Sequence, residues 1–156
     1  MPISAYEYAL NLLTDRPYSA RNLRRKLVQK KLPPADVDAA IERLIGNGLL
    51  DDARYAEQFA RGRLLGTGAS RLRIRQQLYQ RGIQREVAEA AIDSVIEEES
   101  VDLDAVIEKD ARKKLATLGG LDPLVVKRRL YAHLARRGYG PDEINAVLKK
   151  VMSADA

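Results

Sequence analysis

LRRKLVQKKLPPADVDAAIERL, residues 23–44, decides the fold of this chain. Its apolar residues fall into two sets. Leu23 and Leu27 are four apart, and Val37, Ala40, Ile41 and Leu44 follow the spacing i, i+3, i+4, i+7. Each set is one stripe on a helix of 3.6 residues per turn. Between them stands Leu32-Pro33-Pro34, and proline fits the first turn of a new helix but not the interior of an old one. The stretch predicts a helix, a tight turn and a second helix.

The same pattern returns twice without a gap. A shift of 51 residues, then of a further 56, carries Leu23 onto Ile74 and Leu130, and Leu27 onto Leu78 and Leu134. It carries Leu32 onto Ile83 and Tyr139, Val37 onto Ala88 and Ile144, and Ala40 onto Ala91 and Val147. Ile41 falls on Ile92 and Leu148, and Leu44 on Val95 and Val151. Only about half of all residues are apolar, so chance does not supply seven such columns. The turns of the later copies hold Gly82, and Gly138 with Gly140-Pro141. Glycine serves there as a left-handed helix stop.

A first helix precedes each pair, expected from Ser4 to Thr14, from Asp52 to Leu65 and from Asp102 to Leu118. Tyr8, Ala9 and Leu13 keep their offset to Phe59, Ala60 and Leu64. The expected fold is all-α: three tandem three-helix repeats, over 1–48, 49–100 and 101–156, stacked into an elongated, curved array. A unit of this size has little core of its own, and stacking on a neighbour supplies the rest.

Composition narrows the function classes. The chain has 156 residues and no cysteine, so disulfides, thiol catalysis and Cys-ligated zinc are excluded. No apolar run approaches the roughly 20 residues of a membrane span. The N-terminus has neither the basic nor the apolar region of a signal peptide. A cytoplasmic protein is the expectation. The net charge of +5 favours an acidic or polyanionic partner.

That charge is segregated by helix. Arg21, Arg24, Arg25, Lys26, Lys30 and Lys31 crowd the second helix of the first copy. Arg71, Arg73, Arg75, Arg81 and Arg85 follow in the second copy, and Lys127, Arg128, Arg129, Arg136 and Arg137 in the third. The third helices are acidic, with Asp36, Asp38 and Glu42, then Glu86, Glu89, Asp93 and Glu97 to Glu99. Two readings follow. The basic helices pair with the acidic ones, at about 0–1 kcal/mol per pair, or they form one continuous stripe that binds a partner. Lys30, Arg81 and Arg137 share one column, where the helix dipole favours a cation whatever the function. A DNA-reading helix-turn-helix would place the last helix of its unit in the major groove, and acidic third helices argue against that. Non-specific phosphate contact through the second helices stays open.

No catalytic constellation emerges. His133 is the only histidine, and its column holds Lys26 and Gln77, so it is expected in solvent. Asp51-Asp52 stands where a helix starts and is expected to cap it. Gly46-Asn47-Gly48 and Gly66-Thr67-Gly68 lack the Lys-Ser/Thr of a phosphate loop. A non-enzymatic protein without metal or cofactor is expected.

The stretch GNGLLDDARYAEQFARGRLLGTGASRLRIRQQLYQRGI, residues 46–83, resembles the RecX family of bacterial RecA regulators. The residues that carry the likeness are Gly48, Leu49, Leu50, Asp51, Asp52, Arg54, Tyr55, Ala56, Phe59, Arg63, Gly68, Ile74, Leu78, Gly82 and Ile83. Leu72 departs from it, breaking the polar face of its helix. The resemblance implies a protein without catalytic activity or cofactor that lies in the groove of the RecA filament. It implies suppression of strand exchange, ATPase and coprotease activity by capping or destabilising that filament. A monomer is expected. The residues expected to touch the partner are Arg24, Arg25, Lys26, Arg63, Arg71, Arg73, Arg75 and Arg81. A nucleic-acid-binding helical repeat of no sequence preference is the alternative.

Overall fold

The computed structural model describes residues 3–153. Among them are nine α-helices and no strand: α1 (Ala5–Asp15), α2 (Ala20–Gln29), α3 (Pro34–Gly46), α4 (Asp52–Gly62), α5 (Arg71–Gln80), α6 (Arg85–Glu98), α7 (Leu103–Leu115), α8 (Pro123–Arg136) and α9 (Pro141–Ser153). α4 runs on into a π-helical turn, Arg63–Thr67, and α7 into a 3-10 turn, Ala116–Leu118. The chain reads as three copies of a three-helix unit.

Short side chains start most of these helices. Ser4 accepts from the Glu7 amide at 3.1 Å while Glu7 accepts from the Ser4 amide at 3.3 Å, a reciprocal cap. Ser19, Asp51, Ser70, Asp102 and Asp122 each cap the helix that follows. Each such cap stabilises by about 1 kcal/mol. Pro34, Pro123 and Pro141 sit in first turns, where the missing N–H costs nothing.

Each unit buries its own core. Every position of the seven columns is buried except Leu32, which is half-buried against the first core. Leu23, Leu27, Ile74, Leu78, Leu130 and Leu134 are fully enclosed. The three apolar clusters stay separate, one per unit, with Leu50 of the connecting segment in the first. Separate cores give an extended molecule. It exposes 9768 Å², against roughly 7,900 Å² for a compact monomer of its mass.

The units meet at two joints of similar construction. Ser19, at the start of α2, donates its hydroxyl to the Arg81 carbonyl at the end of α5 at 2.6 Å. Fifty-one residues on, the amide of Ser70 at the start of α5 donates to the Arg137 carbonyl at the end of α8 at 3.3 Å. Both serines are buried. The second helices thus abut end to end, α2 on α5 and α5 on α8. Gly82 and Gly138 lie at the contacts with φ of +84° and +97°. A Cβ on Gly82 would meet the Arg21 side chain, and one on Gly138 the Ser70 hydroxyl and Arg73. In the first unit no neighbour packs on this turn among the described residues, and Lys31 holds the place at φ +63°.

Candidate functional site

The residues of the central motif are joint-makers. Asp51 caps α4, accepting from the Arg54 amide at 3.2 Å. Asp52, expected to cap as well, reaches out of its unit instead and accepts from the Ala20 amide at 2.8 Å. One acid of the pair therefore satisfies its own helix and the other the first turn of α2. Arg54 donates to the Gly48 carbonyl at 3.0 Å and fixes the preceding turn. At the second joint the Tyr139 phenol donates to the Gly68 carbonyl at 2.6 Å. Burial, with Asp110 and Glu143 nearby, pushes that phenol well above its ordinary pKa, so it keeps the proton it donates.

The eight residues expected to bind a partner divide. Arg24 pairs with Asp38, its side chain half exposed. Arg25 and Lys26 are exposed and have no ionic partner among the described residues. Arg71 reaches Glu89 at 2.7 Å and Asp93 at 2.6 Å, and Arg75 reaches Glu89 at 2.8 Å. Arg73 donates to the Arg136 carbonyl across the second joint. Arg63 and Arg81 both stack on the Phe59 ring, 4.8 and 4.5 Å from its centroid.

The Arg81 contact explains a whole column. Lys30 lies over Tyr8 at 5.5 Å, Arg81 over Phe59, and Arg137 3.2 Å from the Asp110 carboxylate. The buried residues Ala9, Ala60 and Ala111 set the three first helices in a register of 51 residues at each step, and in that register Tyr8, Phe59 and Asp110 occupy one position. The cation at the end of each second helix thus clasps the first helix of its own unit, by cation–π attraction twice and by charge once. Arg137 and Asp110 are close enough to attract but are not aligned as a hydrogen bond.

His133 departs from its expected place in solvent. It is half-buried, its Nε2 3.2 Å from an Asp110 carboxylate oxygen. In the third unit Asp110 stands where the others have an aromatic ring, and the histidine turns inward to meet it.

The stripe is likewise not continuous. Basic side chains free of acids crowd the outside of α2 and of α8, at Arg25 and Lys26 and at Lys127, Arg128 and Arg129. Between them the arginines of α5 are engaged. Hydrogen bonds from Arg75, then Arg71, hold the Glu89 carboxyl below its ordinary range, with burial opposing them. A carboxylate so depressed stabilises the folded state fully above its ordinary pKa of about 4.5, and the gain is lost as pH falls through the lower folded value. Glu89→Gln is expected to cost no more than about 1 kcal/mol at pH 7, as for other partly exposed pairs. In urea unfolding the gap to the parent chain should close below pH 4.5; a gap that widens in acid would contradict this assignment.

Three stacked three-helix units define an all-α helical repeat protein. Family models for the first, second and third three-helix domains of RecX match residues 5–44, 51–92 and 102–148. The chain belongs to the RecX family. It is 35% identical over 153 residues to the regulatory protein RecX of Trichlorobacter lovleyi, covering 96% of each chain. It is 34% identical to that of Pseudomonas savastanoi pv. phaseolicola, over 94% of this chain and 91% of the other. A crystal structure of RecX from Lactobacillus salivarius superposes with a TM-score of 0.76 at 20% identity, over 94% and 93% of the two chains. A second RecX crystal structure gives 0.79 at 21% identity, over 92% of this chain and 70% of the other. At those identities the two structures bear on the fold alone. Among the described residues no helix is long and apolar enough to cross a membrane.

Proposed function

We propose that this protein is a non-enzymatic, cytoplasmic regulator that binds the RecA–DNA filament as a monomer. It inhibits recombinase, ATPase and coprotease activity by capping or destabilising the filament, and it needs no cofactor. The observation that supports this best is the end-to-end row of second helices, with exposed cations lacking an ionic partner among the described residues on both end helices, in a chain of the RecX family. An extended row suits a partner that is itself long. Free cations at two separated places suit an acidic surface and raise the encounter rate.

Co-sedimentation with RecA assembled on single-stranded DNA, read beside the filament's ATPase rate, tests the proposal. Expected are co-pelleting and a slowed ATPase. Binding to naked single-stranded DNA with none to the filament protein would favour the non-specific nucleic-acid reading. Because Arg25 and Lys26 hold nothing in the fold, Arg25→Glu with Lys26→Glu is expected to leave helicity and melting unchanged. The pair should weaken filament binding at least tenfold at low salt, with the loss shrinking as salt rises. Arg71→Glu should instead lower stability first, since it sets three carboxylates together. Unchanged affinity in the Arg25/Lys26 variant would remove the first unit from the interface.

A further inference from the structure

The middle of the basic row carries an uncharged surface with no role in the fold. The outer face of α5 presents Leu72, Gln76 and Tyr79, and Tyr79 is 71% exposed, the most of any aromatic described. Leu72 and Tyr79 are two turns apart, about 10 Å, on one side of the helix. The column of Tyr79 holds Val28 in the first unit, also more than half exposed, and Ala135 in the third. None of these belongs to a core cluster. At its lower end the face continues into an open groove of about 620 Å³ between the second and third units, which Leu72 lines together with Leu103, Ile107 and Val147 and with the charged side chains of Asp104, Glu143 and Lys150. By the register of the buried alanines Ala60 and Ala111, Leu103 takes the place in the third unit that Asp52 holds in the second.

We propose that the Leu72–Tyr79 face of α5 and the groove beside it are the salt-resistant contact with the partner, and that this contact is with protein rather than with nucleic acid. This rests on the filament-binding reading above. Charge decides the occupant. A phosphate backbone tracks an unbroken run of cations, but here Arg71 and Arg75 are neutralised by Glu89 and Asp93. The adjoining helix α6 adds Glu86 and Glu97, exposed and without an ionic partner among the described residues, which repel phosphate, while Glu98 and Glu99 pair with Arg61. A protein surface apolar at its centre and acidic at both margins matches what is exposed: Tyr79 and Leu72 in the middle, Arg25 with Lys26 on one side, Lys127 to Arg129 on the other. Exposed tyrosine flanked by charged residues is also the composition of protein hot spots.

The test uses the full chain, titrated against RecA filaments on single-stranded DNA and against the same DNA alone, at several salt concentrations. Tyr79→Ala and Leu72→Ala are expected to keep the parent's helicity and melting. Each should weaken filament binding at least tenfold without changing its salt slope, while Tyr79→Phe retains affinity. Parental filament affinity in both alanine variants would overturn the inference and leave the filament reading standing. An equal loss on naked DNA would also overturn it, making Tyr79 a platform for base stacking. A parent chain that binds no filament at all would overturn both.

Discussion

Leu78→Ala is expected to destabilise the protein by about 2–5 kcal/mol, the cost of a cavity in a well-packed helical core. Leu78 is fully enclosed among Ile74, Ile83, Ile92 and Val95 of the middle unit. That core is one of three small ones, and domains of this size are held by only about 5–15 kcal/mol in all. Leu27 and Leu134 hold the same place in the outer units, but an outer unit can open while its neighbours stay paired. The middle unit supports both joints. Leu78→Ala should therefore lower the urea midpoint of the whole chain, whereas Leu27→Ala and Leu134→Ala should broaden or split the transition. Leu72→Ala, on the same helix but exposed, should change the midpoint little. A Leu78→Ala midpoint equal to that of Leu72→Ala would mean that the apolar columns do not mark the core.

Those columns were legible because burial in a helix has a period. Leu23, Ile74 and Leu130 recur at fixed offsets, and a helical face repeated three times has one plain explanation. What a helix does to its neighbour has no period. Asp52 stands beside a true cap and looks like a second one, yet its carboxylate satisfies α2 of the preceding unit. The sequence offered pairing between second and third helices as one of two readings but could not say which arginines pair: Arg71 and Arg75 look no different from Arg25 and Lys26, and only the crossing of α5 with α6 brings Glu89 and Asp93 within 3 Å of them. His133 sits in a column with Lys26 and Gln77, and the residue that draws it inward, Asp110, is 23 positions earlier. One signal could have exposed the joints. Ser19 and Ser70 recur at the start of the second helix, and Gly82 and Gly138 at its end, while the first unit has Lys31 in the glycine column and the third has Val126 in the serine column. The serine is missing from the last unit and the glycine from the first, as a contact running from each unit to the next requires.

Gly138→Ala is expected to open the second joint. Two costs add there. The residue has φ +97°, and the left-handed region costs a residue with a Cβ about 1–2 kcal/mol. The new methyl would also lie 2.5 Å from the Ser70 hydroxyl oxygen, 2.7 Å from the Arg73 Cβ and 3.2 Å from the Arg73 amide. Ser70 can rotate away, but the Cβ and amide of Arg73 move only with the backbone of α5, so relief means parting the units. Gly120 supplies the comparison: its φ is +84°, yet nothing lies within 4 Å of where its Cβ would be. Gly120→Ala should show the backbone cost alone. The excess loss in Gly138→Ala measures the joint, and the radius of gyration should rise in that variant and not in the other. The same change should weaken filament binding beyond what its stability predicts, because α5 and α8 would no longer present their outer faces in one register. If the two alanine variants melt together and scatter alike, contact at Gly138 does not hold the second and third units in place.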